Sequence, residues 1–299
     1  MVPRVPHPST ASSGPRLRYL GHPFFTALPF KFSLPMLRRM NRFFGWLAGL
    51  VGMSASFVGA ADIKEAAVEY KAGETVCEGW HAVDAAKAGK KPGVLIVHQW
   101  TGVSENEKMR AKMLAELGYN VFVCDVYGKG IRPQPPEAGK EAGKYKTDRG
   151  LLRSRVVAGL DVLRKDPGTD PARIAVIGYC FGGTAAIELA RSGAQVKSVV
   201  SFHGGLDSPT PADGKNIKCK VLALHGADDP FVPKEDIAAF ESEMSAAGVD
   251  YKLVQYPGAV HAFTQKAAGN DNSKGAAYHE AADKASWDEM NRFFETALK

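Results

Sequence analysis

The sequence predicts an α/β fold in which a mostly parallel central sheet carries helices on both faces. Three observations predict it. Short apolar runs without polar alternation, such as Val94-Leu95-Ile96-Val97 and Val221-Leu222-Ala223-Leu224, suit strands buried on both sides. Segments with apolar residues at helical spacing stand between them. The two kinds alternate along the chain with no internal repeat and no mid-chain linker, so residues 61–299 read as one domain.

From Ala66 to Val83, the stretches Val68-Glu69-Tyr70 and Thr75-Val76-Cys77 read as two antiparallel strands. Pro92-Gly93 opens the strand Val94–Val97. Ser104, with Glu107 three residues on, forms a capping-box pattern that starts a helix. Met109, Met113, Leu114 and Leu117 give that helix an apolar face, and Gly118 stops it. Val121–Cys124 is the next strand. Residues 128–147, rich in Gly, Pro, Lys and Glu, read as an exposed excursion, either a lid or a solvated loop. A helix follows from Leu151 to Leu163, and Ile174–Ile177 is a strand running into a glycine turn. Ala185–Ala190 begins a helix, and Val196–Phe202 and Val221–Leu224 are strands. Ile237–Met244 is helical and Tyr251–Gln255 extended, while Trp287, Met290, Phe294 and Leu298 share one side of a final helix.

The formal charge of +6 invites a nucleic-acid or membrane reading, so its location matters. Seven basic residues (Arg4, Arg16, Arg18, Lys31, Arg38, Arg39 and Arg42) and no acidic ones precede residue 61. The rest holds 31 basic against 32 acidic side chains, with no bias towards polyanions, which excludes a nucleic-acid role. Residues 36–60 read as a signal peptide: Arg38, Arg39 and Arg42, then an apolar stretch from Phe43 to about Val58, then small residues before Ala61. A permanent anchor is the alternative, but the stretch is short and rich in Gly and Ser. Residues 1–35 read as a disordered tail or an over-extended start ahead of Met36 or Met40. The expectation is a periplasmic or secreted protein, without stable membrane insertion after cleavage. Cys77, Cys124, Cys180 and Cys219 match no zinc spacing and contain no Cys-x-x-Cys redox pair; one bridge among Cys77, Cys124 and Cys219 is allowed.

Catalytic groups in such sheets collect at the C-terminal ends of strands. Cys180 follows the strand ending at Ile177, in Gly178-Tyr179-Cys180-Phe181-Gly182-Gly183. Glycine two residues to either side is what a strained strand-to-helix nucleophile turn needs, and a helix N-terminus there favours a thiolate. The plain alternative is a buried structural cysteine. Asp228 and Asp229 both follow the strand Val221–Leu224, and either can orient a histidine or merely form a turn. His261 lies in the loop after the strand ending near Gln255 and completes a nucleophile–acid–histidine order. His98, His203 and His225 also follow strands; a lone strand-end histidine is more often a hydrogen-bonded structural residue. The N–H groups of Phe181 and Trp100 are the candidate oxyanion donors, Trp100 being also readable as a core aromatic.

With these residues in place, the chain from about 66 to 299 resembles the dienelactone hydrolase family of α/β-hydrolases. The likeness rests on Gly178-Tyr179-Cys180-Phe181-Gly182-Gly183, on Gly226-x-x-Asp229-x-x-Val232-Pro233 and on Val260-His261-Ala262-Phe263. It implies an α/β-hydrolase fold, Asp229 as the acid, Trp100 in the oxyanion hole, a cysteinyl acyl-enzyme, a small ester or lactone substrate and no cofactor. Two positions depart from the family's pattern. Gln99 stands where a Glu often controls the thiol proton, so thiolate formation should depend more on His261. Gln265 stands where dienelactone-specific members carry an Arg for the substrate carboxylate, which argues against a dienelactone substrate. A non-catalytic binding protein on the same scaffold is the alternative from another class.

Overall fold

The apolar run Val94–Val97 ends a strand, Lys91–Val97, that is hydrogen-bonded on both edges and buried on both faces, as a parallel strand under two helix layers must be. This is seen in a computed structural model that describes residues 60–299; the tail and signal-peptide readings fall on residues outside that span, Ala60 apart. Residues 60–299 belong to one compact unit.

The strands are β1 (Ile63–Ala72), β2 (Thr75–Asp84), β3 (Lys91–Val97), β4 (Asn120–Cys124), β5 (Thr169–Tyr179), β6 (Ser198–Phe202), β7 (Lys220–Gly226) and β8 (Tyr251–Tyr256). They make one sheet in the order β1-β2-β4-β3-β5-β6-β7-β8. β1 and β2 form the expected antiparallel pair, β2 runs antiparallel to β4, and β3 to β8 are all parallel. This is the α/β-hydrolase fold.

The period-2 alternation of each strand divides its side chains between two cores. Leu95, Val97, Val176, Val199, Val221 and Ala223 pack with α3 (Arg149–Lys165), α4 (Phe181–Arg191) and α5 (Lys234–Ala246). Val94, Ile96, Ile177, Val200, Leu222 and Leu224 pack with α1 (Glu105–Glu116) and α6 (Glu280–Ala297) on the other face. α4 is buried along its whole length, and its buried Arg191 is held by Glu188 and by both oxygens of Glu243. Among the described residues no helix is long and apolar enough to cross a membrane.

Three expectations need correction. Met109 and Leu117 are 48% and 54% exposed, so of the apolar face expected for α1 Leu114 is buried while these two point outward. Beside Leu114, α1 turns Glu107, Arg110 and Ala111 inward. The two charged residues are buried because each is spoken for: Glu107 closes the capping box with Ser104, and Arg110 pairs with Asp283 at 2.7 Å. Second, the 128–147 excursion contains a helix, α2 (Glu137–Thr147). Its inward residues are only Ala138, Ala142 and Tyr145, too weak an apolar signal to read beside Gly139 and Gly143. Third, all four cysteines are free, so the permitted bridge is not formed.

Candidate active site

β5 runs directly into α4, and the chain can make that turn only with Cys180 at φ 54° and ψ −118°, a conformation that costs a non-glycine residue about 1–3 kcal/mol. The glycines on either side make the turn fit. A Cβ on Gly178 would sit 1.9 Å from the Gly182 carbonyl oxygen, and one on Gly182 would sit 2.1 Å from that of Val97. The turn lifts the Cys180 side chain, partly exposed, to the N-terminus of α4. Phe181 anchors it from below, packing against Tyr127 and against Tyr145 of α2.

The other two expected residues come from the ends of β7 and β8. Asp229 accepts the Phe231 N–H through Oδ1 at 2.9 Å, leaving Oδ2 2.8 Å from His261 Nδ1. Asp228 faces away and accepts the Gly258 N–H at 2.9 Å, so of the two aspartates only Asp229 meets the ring. The His261 backbone is fixed by hydrogen bonds with Gly275 and Ala277. Its Nε2 lies 3.0 Å from Cys180 Sγ. Residues 180, 229 and 261 are thereby joined in one hydrogen-bonded chain.

The electrostatics follow from that chain. Burial alone would raise the Cys180 thiol, but the His261 imidazolium, with a smaller push from Lys146 and the Phe181 N–H, holds it below its ordinary value. Burial would likewise lower His261, yet the thiolate and then Asp229 raise it to about 10. Both shifts favour a thiolate–imidazolium pair. The other thiols move the opposite way: burial raises Cys77 and Cys124, and pushes Cys219 up to about 12.

The two expected oxyanion donors stand differently in the structure. The Phe181 N–H opens α4 and is directed at Cys180. The Trp100 N–H meets no acceptor among the hydrogen bonds of the described residues, while the Trp100 carbonyl accepts the Tyr127 hydroxyl at 3.0 Å. The Trp100 ring is 37% exposed and is not a core aromatic; it stands at the rim near Gly139 of α2. Phe231, 59% exposed, meets the His261 ring edge-on on the other side. Neither Phe231 nor Tyr127 has a local sequence signal; both are placed by tertiary packing.

Gln99 is buried and donates through Nε2 to Glu107 Oε1 at 3.0 Å. Gln99→Glu would set two carboxylates against each other where solvent cannot screen them, raising the pKa of the pair. The cost is absent when one carboxyl is protonated and grows as pH rises. Thermal melts should therefore show a loss of about 3 kcal/mol at pH 8 that shrinks towards pH 5. An unchanged melting temperature at pH 8 would contradict this. Gln265 has a buried side-chain nitrogen without a hydrogen-bond partner among the described residues.

Comparison with known proteins identifies the family. Residues 78–298 match the model of the dienelactone hydrolase family. A solved structure titled m3DLH is 36% identical, covers 81% of this chain and all of its own, and superposes with a TM-score of 0.77. A dienelactone hydrolase-like promiscuous phosphotriesterase, P91, from metagenomic libraries is 34% identical with the same coverage and a TM-score of 0.76. Among curated proteins, a Synechocystis sp. relative named "Putative carboxymethylenebutenolidase" is 26% identical over 73% of this chain and 92% of its own length. With the family model matched across β2 to α6 and the fold shared, the chain belongs to the dienelactone hydrolase family.

Proposed function

We propose that the protein hydrolyses carboxylic esters or lactones of small molecules through a cysteinyl acyl-enzyme. The carrying observation is the unbroken path from Asp229 Oδ2 through His261 to Cys180 Sγ, at 2.8 and 3.0 Å. The Cys180 thiolate attacks the ester carbonyl, and the oxyanion is received by the N–H groups of Phe181 and Trp100. His261, held by Asp229, gives its proton to the departing alkoxide as the thioester forms. It then takes a proton from water, which attacks the thioester, releases the acid and regenerates the Cys180 thiolate beside the His261 imidazolium. Family names point to dienelactones; Gln265 supplies no cation for a substrate carboxylate, which favours neutral esters and lactones.

An activity screen against neutral p-nitrophenyl esters, lactones and dienelactones tests this. We expect turnover of the neutral substrates, abolished in Cys180→Ala and retained in Cys219→Ala. The kcat/KM profile should rise at a pH below the ordinary thiol range and hold a plateau until His261 loses its proton near 10. No acylation across the panel, with Cys180 inert to iodoacetamide at neutral pH, would favour a binding protein on a hydrolase scaffold. Export is a separate proposal: N-terminal sequencing of the mature protein should begin near Ala61, and a start elsewhere would count against it.

A further inference from the structure

The C-terminal end of β6 carries a second histidine that the mechanism above does not use. His203 is wholly buried and sits at φ 40°, a left-handed conformation that a non-glycine residue keeps only where its surroundings demand it. Its Nδ1 lies 3.1 Å from the backbone nitrogen of Cys180, which also donates to the Phe202 carbonyl at 2.9 Å. A backbone N–H can only donate, so Nδ1 is the bare nitrogen and Nε2 carries the proton. Nε2–H then donates to Thr264 Oγ1 at 2.8 Å. Thr264 belongs to the loop that carries His261, and its carbonyl accepts Arg110 Nη2 at 3.1 Å, the same nitrogen that pairs with Asp283. The His203 ring also meets the rings of His261 and Phe263 edge-on, at 5.3 and 5.1 Å between centroids.

Apart from the Cys180–His261 contact itself, hydrogen bonding between the nucleophile turn and the histidine loop passes through His203 among the described residues. We propose that His203 is a positioning residue: it grips the nucleophile's own N–H with one nitrogen and Thr264 with the other, and so sets the Cys180–His261 separation. The proposal rests on reading Cys180 as the nucleophile. The grip requires neutral imidazole, since a proton on Nδ1 would face the Cys180 N–H. Burial lowers the His203 pKa well below its ordinary value, and His261, His225 and Arg110 push the same way. A buried clamp matters because a reacting pair displaced by about 1 Å loses on the order of 100-fold in rate.

Thr264→Val removes the acceptor while keeping the shape, and Thr264→Ser restores a hydroxyl. Steady-state kinetics would be measured with the pH dependence of iodoacetamide labelling at Cys180, which reads the thiolate–imidazolium pair directly. We expect Thr264→Val to lower kcat by about tenfold, with KM changed less than about twofold. Its labelling limb should move up towards the ordinary thiol range, and Thr264→Ser should stay close to wild type. His203→Phe, which loses both arms, should lose more than Thr264→Val; if it does not fold, Thr264→Val carries the test, since it keeps the ring. Wild-type kcat and labelling in Thr264→Val would overturn the proposal. Equal loss in Thr264→Val and Thr264→Ser would also overturn it, because packing alone would then be at stake. If wild-type Cys180 itself shows no thiolate below the ordinary thiol range, the reading of Cys180 fails with it; if only the variants behave like wild type, this proposal alone fails.

Discussion

Cys180→Ala is expected to lower kcat/KM for ester hydrolysis by about 10⁴-fold or more, while the melting temperature stays within a few degrees of wild type. On the proposed mechanism the substitution removes the covalent route, and what remains is water activated by His261 beside whatever donors face the carbonyl. A factor of 10⁴ corresponds to about 5.5 kcal/mol of transition-state stabilisation, more than any single hydrogen bond in the site can supply. Little folding energy should go with it. Cys180 is partly exposed, makes its side-chain hydrogen bond with His261, and occupies a left-handed backbone conformation that alanine tolerates no worse. Cys180→Ser should fall between the two, because a hydroxyl in the same place does not form the ion pair that lowers the thiol pKa. Steady-state rates with thermal melts check both halves of this expectation. A Cys180→Ala enzyme within tenfold of wild type would remove Cys180 from the chemistry.

Gly178→Ala should cost more than about 4 kcal/mol of stability and leave little folded protein, although it adds only one methyl group. The added carbon would lie 1.9 Å from the Gly182 carbonyl oxygen, 2.2 Å from its carbon and 2.8 Å from the Gly183 nitrogen. All three are backbone atoms, so no rotamer change relieves the overlap; β5 and the first turn of α4 must separate. That separation would also carry Cys180 away from His261 and pull a helix buried along its whole length out of register with the sheet. Gly143→Ala in α2 is the matched control. Nothing lies within 4 Å of its added carbon, and the change should stabilise by about 0.5–1 kcal/mol, the ordinary preference of a helix for alanine. Denaturant unfolding of the two variants would show opposite signs. A Gly178→Ala protein as stable as wild type would mean that the nucleophile turn is not as tight as described.

What the sequence shows plainly is what depends on period and spacing. The strands were legible because their apolar runs are unbroken, and the α1 start because Ser104 and Glu107 sit three apart in a capping box. The glycines around Cys180 were legible because backbone contact forbids any other residue there. In the sequence, the choice of Asp229 over Asp228 rests on the family resemblance alone; its physical reason is which carboxylate faces His261, a matter of the turn that follows β7. α2 escaped because alanine and glycine carry its inward face, and the buried side of α1 because charged residues paired across the fold look solvent-facing in one dimension. His203 follows a strand, and a lone strand-end histidine reads as structural. Its two hydrogen bonds give it partners from segments 23 and 61 residues away, which no local pattern reports.

The central claim is that acyl transfer passes through the Cys180 sulfur. Acid quenching of the enzyme during the first turnover of p-nitrophenyl acetate, followed by peptide mass spectrometry, tests it most directly. An acetyl group is expected on the peptide containing Cys180, absent from Cys180→Ala and accumulating in a His261→Ala variant whose deacylation is slowed. Turnover with no acetylated peptide, or with the acetyl group on Cys77, Cys124 or Cys219, would contradict it.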